Sequence, residues 1–228
     1  LLLGALLVPT LQGCLPMLAA GAGGAAMATV DRRSLSTQTN DETIEWKTSA
    51  RVSEKFSDNT HVNFASFNRK VLIVGEVPSA DAKVEIERIV NGVPQVQGVY
   101  NELAIGPVSS FSARSNDSYL TTLVKGRLVD SGKVNAMHVK VVTDASVVYL
   151  LGLVTQREAQ TAIQVARTTN GVHKVVNLLE VIPDAQAREL DGPAPDASRS
   201  GYRGLLFIDH SARCAGRGAP AAAPRRSR

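Results

Sequence analysis

The sequence predicts an α+β protein in which one small unit, α-β-β-α-β, is used twice in tandem, each copy a small three-stranded mixed sheet packed by two helices. Three observations predict it. Helix-like and strand-like runs follow the same order over residues 41–105 and 117–182. Adding 77 to the residue number carries His61 onto His138, Gly75 onto Gly152, Ala82 onto Ala159 and Ile86 onto Ile163, a shared offset that marks an internal repeat. Finally, the 228 residues are enough for one ordinary domain or two small ones, and with 44% hydrophobic but only 4% aromatic residues any core must be built mainly from Val, Ile, Leu and Ala.

Each element has its own local signal. Asp41–Phe56 is read as a helix, with Ile44, Val52 and Phe56 on one stripe. The runs His61–Phe67 and Val71–Val77 are strand-like and joined by the turn-forming Asn68-Arg69-Lys70. A second helix carries Ala82, Ile86 and Ile89 on one side and stops at Asn91-Gly92, and Val99–Ile105 closes the first unit. The second copy runs Asp117–Val129, His138–Thr143 and Val147–Val154. Its second helix starts at the capping-box pattern Thr155-Gln-Arg-Glu158, carries Ala159, Ile163 and Ala166, and stops at Asn170-Gly171 before the strand Val175–Ile182. The in-strand Gly75 and Gly152 are expected where a helix packs close over the sheet, or at a bulge.

Charge excludes one class of function. The formal net charge is +4, but residues 184–228 hold eight Arg and five acidic residues, so the rest of the chain is nearly neutral. Non-specific nucleic-acid binding has little electrostatic support there.

The chain opens with Leu1-Leu-Leu-Gly-Ala-Leu-Leu-Val8 and reaches Leu11-Gln12-Gly13-Cys14. The apolar run is shorter than the roughly 20 residues a spanning helix needs. It reads as a signal-peptide core, truncated because neither Met nor a basic leader precedes Leu1. Leu11–Cys14 resembles a bacterial lipobox, which makes Cys14 the expected lipidation site and residues 1–14 the signal segment. Leu15 in place of Asp favours outer-membrane sorting by analogy with enterobacterial lipoproteins. Residues 15–40, first Ala/Gly-rich and then polar, read as a flexible tether, 106–116 as a linker, and 183–228 as a basic Ala/Pro/Arg-rich disordered tail with one apolar island at Gly204–Ile208.

The hairpin with its glycine (Val74-Gly75, Leu151-Gly152), the following helix, Gly92-Val93 and Gly171-Val172, and an Asn-bearing last strand (Asn101, Asn177) resemble the BON domain. Two such units behind a lipobox, together with Asp31-Arg-Arg-Ser34, Val99-Tyr-Asn-Glu102 and Asn116-Asp-Ser-Tyr-Leu-Thr-Thr122, resemble the dual-BON outer-membrane lipoproteins of the DolP (YraP) family. That resemblance implies a periplasm-facing, lipid-anchored, non-enzymatic protein. It implies that the first helix of the second unit binds anionic phospholipid (phosphatidylglycerol or cardiolipin) and that the protein supports envelope integrity at division sites. The competing class is an adaptor for outer-membrane assembly or cell-wall-remodelling machinery.

A helical wheel supplies residues for the first class. Leu120, Val124 and Leu128 share one side, which leaves Tyr119, Thr122, Leu123, Lys125 and Gly126 on the other: an aromatic, an aliphatic and a cation, a composition suited to shallow interfacial insertion. Trp46 lies off the core stripe of the first helix, and a contact between the repeats is its preferred explanation. Catalysis has no carrier. His61 and His138 are repeat equivalents, His173 and His210 lack ligand-spaced partners, Cys214 has no C-x-x-C context, and nucleophile and phosphate-loop motifs are absent. No cofactor or metal is expected.

Overall fold

A computed structural model of the chain describes residues 31–56 and 60–192. The lipobox with Cys14, Cys214 and the apolar island at 204–208 lie outside the described residues. The first unit contains α1 (Leu35–Lys55), β1 (His61–Phe67), β2 (Lys70–Val77), α2 (Ala80–Asn91), β3 (Gly98–Asn101) and β4 (Ala104–Ile105). The second contains α3 (Phe111–Ser131), a 3-10 turn (Ala136–His138), β5 (Val139–Asp144), β6 (Val147–Val154), α4 (Gln156–Arg167) and β7 (Lys174–Val181), followed by the short α5 (Asp184–Leu190).

Each sheet is mixed. In the first, β1 pairs antiparallel with β2, and β2 pairs in parallel with both β3 and β4. In the second, β5 is antiparallel and β7 parallel to the central β6. Both hairpins close through two residues with positive φ, Asn68-Arg69 (51° and 64°) and Ala145-Ser146 (47° and 61°), the backbone that matches strand twist in a two-residue loop. A buried aspartate on the first helix of each unit holds the turn. Asp41 accepts from the Asn68 and Arg69 amides at 2.8 and 2.7 Å, and Asp117 from the Ala145 and Ser146 amides at 3.0 and 2.8 Å.

Gly75 and Gly152 have a reason other than the expected helix packing. A Cβ on Gly75 would lie 1.9 Å from the His61 carbonyl oxygen, and one on Gly152 2.2 Å from that of His138. The close approach is therefore from the backbone that enters the neighbouring strand. Among the helix ends, Gly92 keeps a right-handed conformation (φ −81°), and the left-handed cap is Gly132 (φ 60°), which ends α3.

The two sheets face each other, so the order of layers is helices, sheet, sheet, helices. Side chains alternate along β2. Val71, Ile73 and Val77 enter a core under α1 and α2, while Leu72 and Val74 enter a different one. Along β6, Val148, Leu150 and Val154 pack under α3 and α4, while Tyr149 and Leu151 meet Ala65, Phe67, Leu72 and Val74 of the first sheet. The units are thus two domains, each with its own sheet, that meet face to face through a third, shared core. Burial at this junction pushes the Tyr149 hydroxyl up to about 12.

Several boundaries differ from the sequence reading: the expected strand Val99–Ile105 is broken into β3 and β4, which makes the first sheet four-stranded rather than three-stranded, and His138 lies in the 3-10 turn ahead of β5. Helices α1 and α3 each begin six residues earlier than expected, capped by Ser34 and Ser110, which accept from the amides of Thr37 and Ala113. Residues 31–40 consequently belong to the fold rather than to a tether, and the linker shrinks to 106–110. The expected disordered tail does not begin at 183 either, because Asp184–Leu190 is helical and Ala187 is only 3% exposed.

Candidate functional site

Helix α3 is bound to its own core along one side by Leu120, Val124 and Leu128, exposed by 2% or less. The opposite side is open. Tyr119, Thr122, Lys125 and Gly126 are exposed, with Tyr119 at 63%, and a Cβ on Gly126 would meet nothing within 4 Å. Leu123 is half-buried and offers less surface than its wheel position suggested. Phe111 (78% exposed) and Val129 (63%) lie on the same side as Tyr119 and were not anticipated. In sequence Phe111 falls in the expected linker and Val129 at the very end of the expected helix. Together the three span roughly 27 Å at 1.5 Å per residue.

The residues between these apolar groups are less polar in practice than in sequence. The Ser118 and Thr122 hydroxyls donate back to the carbonyls of Arg114 and Ser118, each at 3.1 Å. Their donors are already satisfied, so covering this face with an apolar phase leaves fewer hydrogen bonds unmade. Lys125 flanks the ridge, and Asp130 is the first acidic residue after the buried Asp117.

Arginine 32 centres a dense buried polar network that sequence reasoning missed. Its side chain, 4% exposed, donates to Glu158 at 2.7 and 3.0 Å, to Asp191 at 2.7 and 3.0 Å and to the Leu153 carbonyl at 3.0 Å. Burial alone would lower its pKa, but the two carboxylates outweigh that and raise it. Glu158 is lowered despite burial, and Asp191 is lowered chiefly by the Arg32 hydrogen bond. Glu158 has a second duty, because it also completes the Thr155 capping box, as the sequence predicted. The next residue, Arg33, turns to the other unit, where it bonds Asp41 at 2.8 Å and lies 4.0 Å above the Phe67 ring. Adjacent arginines therefore clasp both units.

Trp46 is 71% exposed, which removes the expected contact between the repeats as its explanation; Leu35 (61%) lies on the same side of α1. His61 Nδ1 lies 3.5 Å from Glu76. Among the described residues no group of three or more His, Cys, Asp or Glu is arranged to hold a metal ion, and no helix is long and apolar enough to cross a membrane.

The sequence of this fold matches a known family. The BON-domain profile covers residues 40–107 and 116–183, more than half of the chain. The chain is also 39% identical over 184 residues to the outer membrane lipoprotein DolP of Haemophilus influenzae, covering 80% of this chain and 94% of that protein. The chain belongs to the dual-BON DolP family. It is similar as well to the 21 kDa hemolysin of Actinobacillus pleuropneumoniae (32% identity, 67% of this chain and 80% of that protein). A third relative is the osmotically-inducible protein Y of Escherichia coli, 36% identical over 41% of this chain and 47% of that protein. In BON terms, α3 is the first helix of the second domain. Phe111, Arg32 and Asp191 all lie outside the matched stretches, which is why a reading confined to the BON pattern leaves them out.

Proposed function

We propose that this dual-BON protein is a non-enzymatic outer-membrane lipoprotein, held by a lipid on Cys14 and facing the periplasm, that contacts anionic phospholipid through the outward side of α3. One observation carries the reading: the ridge of Phe111, Tyr119 and Val129 stands directly opposite the buried stripe and so has no role in the core of its own domain. Insertion would remove parts of two rings and a valine from water at about 25 cal/mol per Å². Lys125 would add roughly 1 kcal/mol beside an anionic surface. Alone that contact is weak. With the anchor in the same membrane it becomes effectively intramolecular, so the local content of phosphatidylglycerol or cardiolipin decides where the protein accumulates. Support of envelope integrity at division sites follows as the role.

Vesicle flotation of the chain lacking residues 1–14 tests this. Phosphatidylglycerol vesicles should carry the protein and zwitterionic ones should not, and binding should fall as salt rises. Equal binding to both would refute it. A second reading, an adaptor for envelope-assembly or wall-remodelling proteins, is favoured by the exposed Trp46 and Leu35 on α1, a ridge that the lipid reading does not use.

A further inference from the structure

Strand β1 is an edge of the first sheet, and its outer side is half closed. Toward its C-terminal end, the Ser66 amide donates to Glu45 at 2.6 Å, the Ser66 carbonyl accepts from Lys140 at 3.2 Å, and the Asn68 amide donates to Asp41 at 2.8 Å. Backbone groups alternate along an antiparallel strand, so the outward Ser66 amide places those of Phe64 and Val62 outward too. No side chain among the described residues caps them. The β7 edge differs, because the Asn177 side chain accepts from the Leu179 amide at 3.1 Å.

Two clefts flank this open half, one on each face of the sheet. On the α1 side, a cleft of about 390 Å³ is lined by Val52, Phe56, Val62 and Phe64. Toward the second domain, a cleft of about 360 Å³ is lined by His61, Asn63, Arg114, Asp117 and Asp144. Asp144 is raised by burial first, then by the charges of Glu76 and Asp117. The lining brings two carboxylates, Asp117 and Asp144, to one fixed cation, Arg114, so a further cation would be favourable there.

We propose that the open edge of β1 takes an extended segment of a partner protein in which aliphatic residues alternate with Lys or Arg. An added strand would bond through the Val62 and Phe64 backbones. Its side chains would alternate between the apolar cleft and the acidic one. Backbone pairing supplies the contact, and the two clefts select the sequence. This surface is separate from the α3 ridge and does not depend on lipid binding there.

The test uses the full chain and end-blocked ten-residue peptides of alternating Val and Lys, alternating Val and Glu, and Val and Lys with alternate backbone nitrogens methylated. Amide exchange at Val62 and Phe64 should slow about tenfold with saturating Val/Lys peptide. Asp144→Asn should weaken binding about fivefold, while Tyr119→Ala leaves it unchanged. The methylated and Val/Glu peptides should fail to bind, and these two arms do not depend on any variant folding. Absence of protection at Val62 and Phe64, or equal binding of the methylated or Val/Glu peptide, would overturn the proposal.

Discussion

Arg32 and Arg33 are neighbours with partners in different domains, and the consequences can be measured. Removing a buried cation that serves two carboxylates leaves their charges uncompensated, so Arg32→Met should cost about 3 kcal/mol at pH 7. Arg32→Lys should recover only part of it, because an ammonium cannot fork to both partners. Glu158 and Asp191 have lowered pKa values in the fold, so their contribution is present above the ordinary carboxylate range and is lost as pH falls below about 4. The gap between Arg32→Met and the parent should therefore narrow in acid, as read by urea unfolding across pH. Asp144 has the opposite sign. Its raised pKa means that the fold holds this proton more tightly, and stability declines as pH rises through the folded value. Asp144→Asn should gain on the parent between pH 4 and 7; a constant difference across that range would show that the group does not titrate as described.

At the level of elements, the hairpins and second helices were legible from alternation, caps and the repeat, whereas the first helices were only half legible. Residues 35–40 and 111–116 form a helical overhang with no fully buried side chain, so apolar periodicity has nothing to register there. Ser34 and Ser110 were available as cap signals, but neither is followed by Glu or Gln at the third helical position, so neither forms a capping box. The same limit hid Phe111. Helix α5 was hidden by composition, because Asp184–Leu190 is polar apart from Ala and Leu and docks through Ala187 and Asp191. Truncation after Ile182 should thus lower the melting temperature by several degrees, whereas truncation after Gly192 should not. Equal melting of both truncated chains would mean that α5 adds nothing to the fold.

For the whole molecule, the missed feature was the face-to-face packing of the sheets, and its signal was in the sequence. Val71-Leu72-Ile73-Val74 is an unbroken apolar run, all four residues exposed by 1% or less. Such a run marks a strand covered on both faces, while helices on one side can account for only one. The shared core predicts a single cooperative unfolding transition for both domains. Leu151→Asp, which places a charge between the sheets, should split it into two; independent transitions in the parent would contradict the shared core. The central functional claim is that the α3 ridge, and not another face, meets the membrane. Trp46 is the only tryptophan and lies on α1, so two probes of the same kind can be compared. Fluorescence quenching by vesicles of phosphatidylglycerol brominated along the acyl chains should quench the indole of a Trp46→Phe/Tyr119→Trp variant and leave native Trp46 nearly unaffected. Quenching of Trp46 with none at position 119 would contradict the account.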